Sequence, residues 1–167
     1  MTRTRRLLWI SLVLLTCVGC DQVTKVAAKN YLASSPPTSY LSGFFRMQYA
    51  ENRGAFLSFG STLSSRTRFW AFSLLAGIAL AGTVATMLIL RSPNPGGIAG
   101  GSLLVAGGVG NLIDRMVNHG AVIDFMNIGF GRLRSGIFNV ADMAIMAGAG
   151  VLLFVGYRQG KSRRIHS

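Results

Sequence analysis

The sequence predicts an all-α integral membrane protein, with four transmembrane helices and a small β-rich cap on the outer membrane face. Three observations carry this. Half of the 167 residues are hydrophobic, only 13% are charged and the mean hydropathy is +0.45, which leaves too little polar surface to coat a soluble core. Residues 69–90 and 96–113 hold no charge and 137–157 hold only Asp142, so each passes the test of roughly 18 apolar residues for a span. Finally, the chain has five acids, Asp21, Glu51, Asp114, Asp124 and Asp142, and on this map all of them fall at one membrane face.

Taken in order, the first span is expected over residues 7–27. Leu7 to Cys20 behind Arg3, Arg5 and Arg6 also reads like a secretory signal, and Val18-Gly19-Cys20 resembles the end of a lipobox. Cys17 stands where such signals usually carry Leu, and Val23, Val26 and Ala27 extend the apolar face past Asp21, which favours a retained span. Cys17 and Cys20 have CxxC spacing without further ligands, so they read as small packing residues. A long outer loop follows, with a turn at Ser34-Ser35-Pro36-Pro37 and a strand signal where Phe45, Met47 and Tyr49 alternate with polar neighbours. The second span, 69–90, ends at the breakers Pro93, Asn94, Pro95 and Gly96, which open the third span, 96–115. Val122, Ile123, Phe125, Ile128, Phe130 and Leu133 then predict short strands in a second outer loop, before a fourth span over 137–157. Residues 1–167 form one expected domain.

The formal net charge is +12. In a soluble protein this would point to nucleic acid. Here the basic clusters Arg3, Arg5, Arg6 and Arg158, Lys161, Arg163, Arg164 flank the outermost spans, where positive-inside anchors belong. Both termini are therefore expected in the cytoplasm, with membrane phospholipid as the anionic partner and no nucleic acid. His119 and His166 are too far apart in sequence to support a metal site. His119 lies between Asn118 and Gly120 and reads as a turn residue, not a base.

Acids within spans are costly and usually mark a functional site. Asp21 and Lys25 are spaced i,i+4 with the acid first, the better order for a helical ion pair. Asn111 lies one turn from Asp114 and Arg115, and Asn139 is i,i+3 from Asp142. Asp124 and Asp142 have apolar neighbours and no cation nearby in sequence. Two such acids brought together share a proton, so that one acts as base and the other as acid. That pair activates water against an amide, but it equally serves as a relay in a small proton-coupled transporter; spacing alone leaves both readings open.

Five ordered motifs then resemble the lipoprotein signal peptidase family, also called signal peptidase II. They are Asp21-Gln22-Val23-Thr24-Lys25, Asn52-Arg53-Gly54-Ala55-Phe56, the stretch from Gly107 to Arg115, Val122-Ile123-Asp124-Phe125, and Phe138-Asn139-Val140-Ala141-Asp142. The resemblance implies a bacterial inner-membrane aspartic endopeptidase that needs no cofactor or metal. It would cleave diacylglyceryl-modified prolipoproteins before the lipidated cysteine, at the outer (periplasmic) face. It also implies that Asp124 and Asp142 are the catalytic pair, and that Asp21, Lys25, Asn52, Gly54, Asn111, Arg115 and Asn139 support them. After Gly54-Ala55 many members continue Ala-Phe-Ser, whereas this chain has Phe56-Leu57-Ser58.

Overall fold

The computed structural model describes residues 2–53, 64–89 and 94–165. Four helices are long and apolar enough to cross a membrane. They are α1 (Arg3–Leu32), α2 (Ser65–Ile89), α3 (Pro95–Val117) and α4 (Val140–Ile165). A four-stranded antiparallel sheet joins β1 (Thr38–Tyr40), β2 (Phe45–Asn52), β3 (Val122–Phe130) and β4 (Leu133–Arg134) in that order. The alternation read over Phe45, Met47 and Tyr49 is thus a strand, and the second loop supplies its partner, with Asn52 opposite Val122 and Ala50 opposite Asp124.

Local chemistry sets the helix ends. Asn94 caps α3 by accepting the Gly96 N–H at 2.8 Å, and Pro95 takes the first helical position, where its missing N–H costs nothing. The fourth helix starts at Val140, not at residue 137 as the apolar run predicted. Phe138 is instead extended and bridges Met126 of β3, so Ile137 and Phe138 spend their hydrophobicity on the sheet and cavity. The first helix exceeds the expected span at both ends and continues without a break past Cys20, with both cysteines free.

The hub is α3, which packs on α1, α2 and α4. Half of its apolar window is buried, against 6% for α1 and 11% each for α2 and α4. The outer helices turn side chains such as Leu15, Leu74 and Leu153 outward, as helices do when lipid is the solvent. At the far end from the sheet, buried Arg6 donates to the Met87 carbonyl at 3.0 Å. This ties α1 to the last turn of α2, where cations and donors are favoured.

Close approach of α3 and α4 depends on small residues. A Cβ on Gly148 would lie 2.6 Å from the Gly100 carbonyl and 2.8 Å from the Leu104 nitrogen, both backbone atoms that cannot swing aside. Gly148→Ala is therefore expected to push the helices apart and destabilise the protein by about 1–3 kcal/mol. Thermal unfolding in detergent would show this, and an unchanged midpoint would refute it.

Candidate active site

Four acids from three helices and one strand meet where the bundle joins the sheet. On α1, the fully buried Lys25 ammonium contacts Asp21 at 2.8 Å, Asp114 at 3.0 Å and the Asn111 side-chain carbonyl at 3.0 Å. These three acceptors use all three of its hydrogens. The sequence-predicted i,i+4 pair is thus one arm of a buried cluster. Gly110 makes room for it, since a Cβ there would sit 2.5 Å from the Asp21 carboxylate.

Both carboxylates also reach out to other elements. Asp21 accepts the backbone N–H of Ala141 in the first turn of α4 at 2.8 Å, and Asp114 accepts that of Ile123 in β3 at 2.8 Å. One Lys-centred cluster therefore fixes the two segments that carry Asp124 and Asp142. Gln22 completes it by donating to Asp21 at 3.2 Å and Asp114 at 3.0 Å.

At the start of α4 the i,i+3 spacing becomes a reciprocal capping box. Asn139 accepts the Asp142 N–H at 2.9 Å, while Asp142 accepts the Asn139 N–H at 3.2 Å. The positive end of the helix favours a carboxylate at this place. Asn111 donates to the other Asp142 oxygen at 2.8 Å. Its amide orientation is set by Lys25, a donor that can meet only the carbonyl side.

Asn139 has no exposed surface and bridges the two acids, because its side-chain amide also donates to Asp124 at 2.7 Å. Asn52 of β2 donates to the second Asp124 oxygen at 3.1 Å. Burial pushes the Asp124 carboxyl up to about 6. The hydrogen bond from Asn52 opposes this rise, the Asp142 charge adds to it, and the hydrogen bond from Asn139 opposes it again. Asp124 and Asp142 both open onto one cavity of about 1000 Å³, otherwise walled mainly by apolar side chains such as Ile137, Phe138, Met143 and Met146.

A profile of the family described as Signal peptidase (SPase) II matches residues 13–158. The chain belongs to the signal peptidase II family. It is 31% identical to the lipoprotein signal peptidase of Brevibacillus brevis, over 94% of this chain and the whole of that one. It is 37% identical to that of an Azoarcus species, over 87% of this chain and 81% of the other. A bacterial membrane enzyme solved by the in meso method superposes with a TM-score of 0.76 at 25% identity, covering 92% of this chain and 90% of that one. Signal peptidase II enzymes are membrane aspartic peptidases, and this chain is one. The transporter reading gains no support from any of these relatives.

Among the sequence-derived candidates, Asp21, Lys25, Asn52, Asn111, Asn139, Asp124 and Asp142 join one hydrogen-bonded network. Arg115 stands at its edge, bonding the Asn111 backbone carbonyl at 3.4 Å and forming no ion pair among the described residues. Gly54 and the Phe56-Leu57-Ser58 departure lie outside the described residues. Sequence reasoning missed the reach of Gln22 and Asp114, although both stand inside quoted motifs. Among the described residues no three His, Cys, Asp or Glu side chains are grouped as a metal ion requires.

His119 is exposed, has φ of 52° and follows the α3 cap at Asn118, so it is a turn residue. His119→Gln is expected to keep most of the activity. A loss approaching that of Asp124→Asn would restore the catalytic reading.

Proposed function

We propose that this signal peptidase II cleaves diacylglyceryl-modified prolipoproteins just before the lipidated cysteine, with Asp124 and Asp142 as the catalytic pair. The observation that carries this is their placement on one apolar cavity with Asn139 between them. In this mechanism the pair shares one proton: Asp142, an acceptor for Asn111 and for its own helix end, serves as the base, and Asp124, whose burial favours the protonated form, serves as the acid.

A water between them gives a proton to Asp142 while its oxygen attacks the scissile carbonyl. Asp124 donates its proton to the carbonyl oxygen, giving a neutral tetrahedral species. As that species collapses, Asp124 takes the hydroxyl proton back, Asp142 protonates the departing amine, and the starting charge states return. No covalent intermediate is needed.

The remaining polar groups act as supports. Lys25, Asp21 and Asn111 fix Asp142, while Asn52 and Asn139 fix Asp124. Arg115 supplies positive charge at the edge of the network.

The substrate explains the location. Its signal peptide and acyl chains stay in lipid, so the bond to be cut sits at the bilayer surface. The basic N- and C-terminal clusters support cytoplasmic termini, which puts the sheet and the cavity on the outer face of the bacterial inner membrane.

The test is hydrolysis of a lipid-modified lipobox peptide by purified protein, with the same peptide lacking the diacylglyceryl group as control. Cleavage of both at equal rates would reject the lipid requirement. The pH profile is a second test. Asp124 must be protonated, so activity should fall as pH rises through about 6, and fall again at low pH when the pair is doubly protonated. Substrate filling the cavity removes more water and moves the alkaline limb upward. Activity that keeps rising into the alkaline range would exclude Asp124 as the acid.

A further inference from the structure

The β3–β4 hairpin presents an apolar surface that the catalytic site does not use. Phe130 is 75% exposed and Leu133 is 85% exposed. Phe44 stacks on Phe130 with ring centroids 4.8 Å apart, so the patch is a built surface and not a scatter of side chains. Ile128, two residues from Phe130, shares the cavity wall with Met143 and Met146 of α4, which also face outward.

Three cations rim this patch. Arg132 is exposed in the hairpin turn, and Arg46 and Arg134 stand behind it on β2 and β4. Among the described residues, ion pairs join only Lys25 to Asp21 and Asp114, and Arg53 to Glu51; none reaches these three arginines. Arg134 spends its donors on carbonyls, including Gly43 at 2.8 Å and Gly129 at 3.2 Å. That fixes the hairpin but leaves the charge uncompensated. The Nε of Arg46 is buried without a hydrogen-bond partner. Desolvation and then the Arg46 charge both push the Arg134 guanidinium down from its ordinary value.

We propose that this hairpin is an anionic-phospholipid docking surface, in which Phe130 and Leu133 enter the acyl region of the outer leaflet and the three arginines gather lipid phosphates. An apolar tip with cations directly behind it matches the layering of acyl chain and phosphodiester in a leaflet. A water-facing hairpin would need neither. The docking holds the mouth of the cavity at the depth of the lipid glycerols. It rests on the membrane reading and not on the peptidase chemistry.

The test uses the full chain in phosphatidylcholine vesicles, with Trp9 and Trp70 replaced by Phe and a single reporter, Phe130→Trp. Leu133→Trp serves as a second, independent reporter. Chain-brominated phosphatidylglycerol or phosphatidylcholine is added at equal mole fraction. The expected result is blue-shifted emission, quenched with a preference for phosphatidylglycerol of about fivefold for each arginine engaged. Arg46→Gln combined with Arg132→Gln should cut that preference to the roughly fivefold that Arg134 alone supplies, while leaving the quenching itself.

Emission typical of water, with no quenching by either lipid, would overturn the docking. Equal quenching by both lipids, or a preference unchanged by loss of the two arginines, would overturn the anionic selectivity. Neither readout requires turnover, so failure here and failure of the peptidase reading are separable.

Discussion

Replacing Asp124 or Asp142 by Asn is expected to lower turnover of a lipid-modified peptide by about 10³-fold or more, with the folded protein retained. Each change is nearly isosteric and removes one half of the proposed proton-sharing pair, and positioned acid–base groups contribute about 10²–10⁴-fold each. The Asp124 carboxylate accepts from the Asn139 side chain and the Asp142 carboxylate from the Asn139 backbone N–H, so on the proposed mechanism they act as a unit and the double variant should be little worse than either single one. Kinetics of the three variants on one substrate decide this. Small single losses that simply multiplied in the double variant would mean that the two acids act independently, and the shared-proton mechanism would be wrong.

Lys25→Met should have the largest effect on stability. Lys25 is 2% exposed and is the cation between Asp21 and Asp114, at 2.8 and 3.0 Å. Its loss strands two buried carboxylates, and breaking a buried pair in this way costs about 3–5 kcal/mol. Asp21→Asn should be milder, because Lys25 keeps Asp114 as its counter-charge. The fraction of Lys25→Met that does fold should retain some turnover, since Asp124 still has Asn52 and Asn139 as donors. Thermal unfolding in detergent together with activity per folded molecule separates the two effects. A Lys25→Met protein of normal stability and no activity would place Lys25 in the chemistry instead.

Much of this architecture is local and was therefore legible. An apolar run long enough to span a bilayer is helical because no water is there to satisfy an open backbone, so hydropathy finds α2 and α3 directly. Alternation over Phe45, Met47 and Tyr49 is a property of a few neighbouring residues and gave the strand. The Asn139–Asp142 capping box and the Asp21–Lys25 pair follow from helical spacing, and the ordered motifs identified the family before any coordinates. Where hydropathy failed, at Ile137 and Phe138, the reason is that apolar character is shared by lipid-facing helix and sheet-packed strand; only the bridge to Met126 distinguishes them.

What the sequence by itself determined is thus the set of elements and the chemical inventory of the site. Tertiary structure decided which groups meet. Asn52 reaches Asp124 across 72 positions, Asp21 reaches the Ala141 N–H across 120, and Arg6 reaches the Met87 carbonyl across 81. It also decided that Lys25 serves two carboxylates and orients Asn111, and that Asp124 is the acid whose burial raises its proton affinity. Helical and strand periodicity constrain neighbours three or four residues apart, or two apart. Desolvation and hydrogen bonding act on distances in space, which are fixed only when α3 brings the other helices and the sheet against itself.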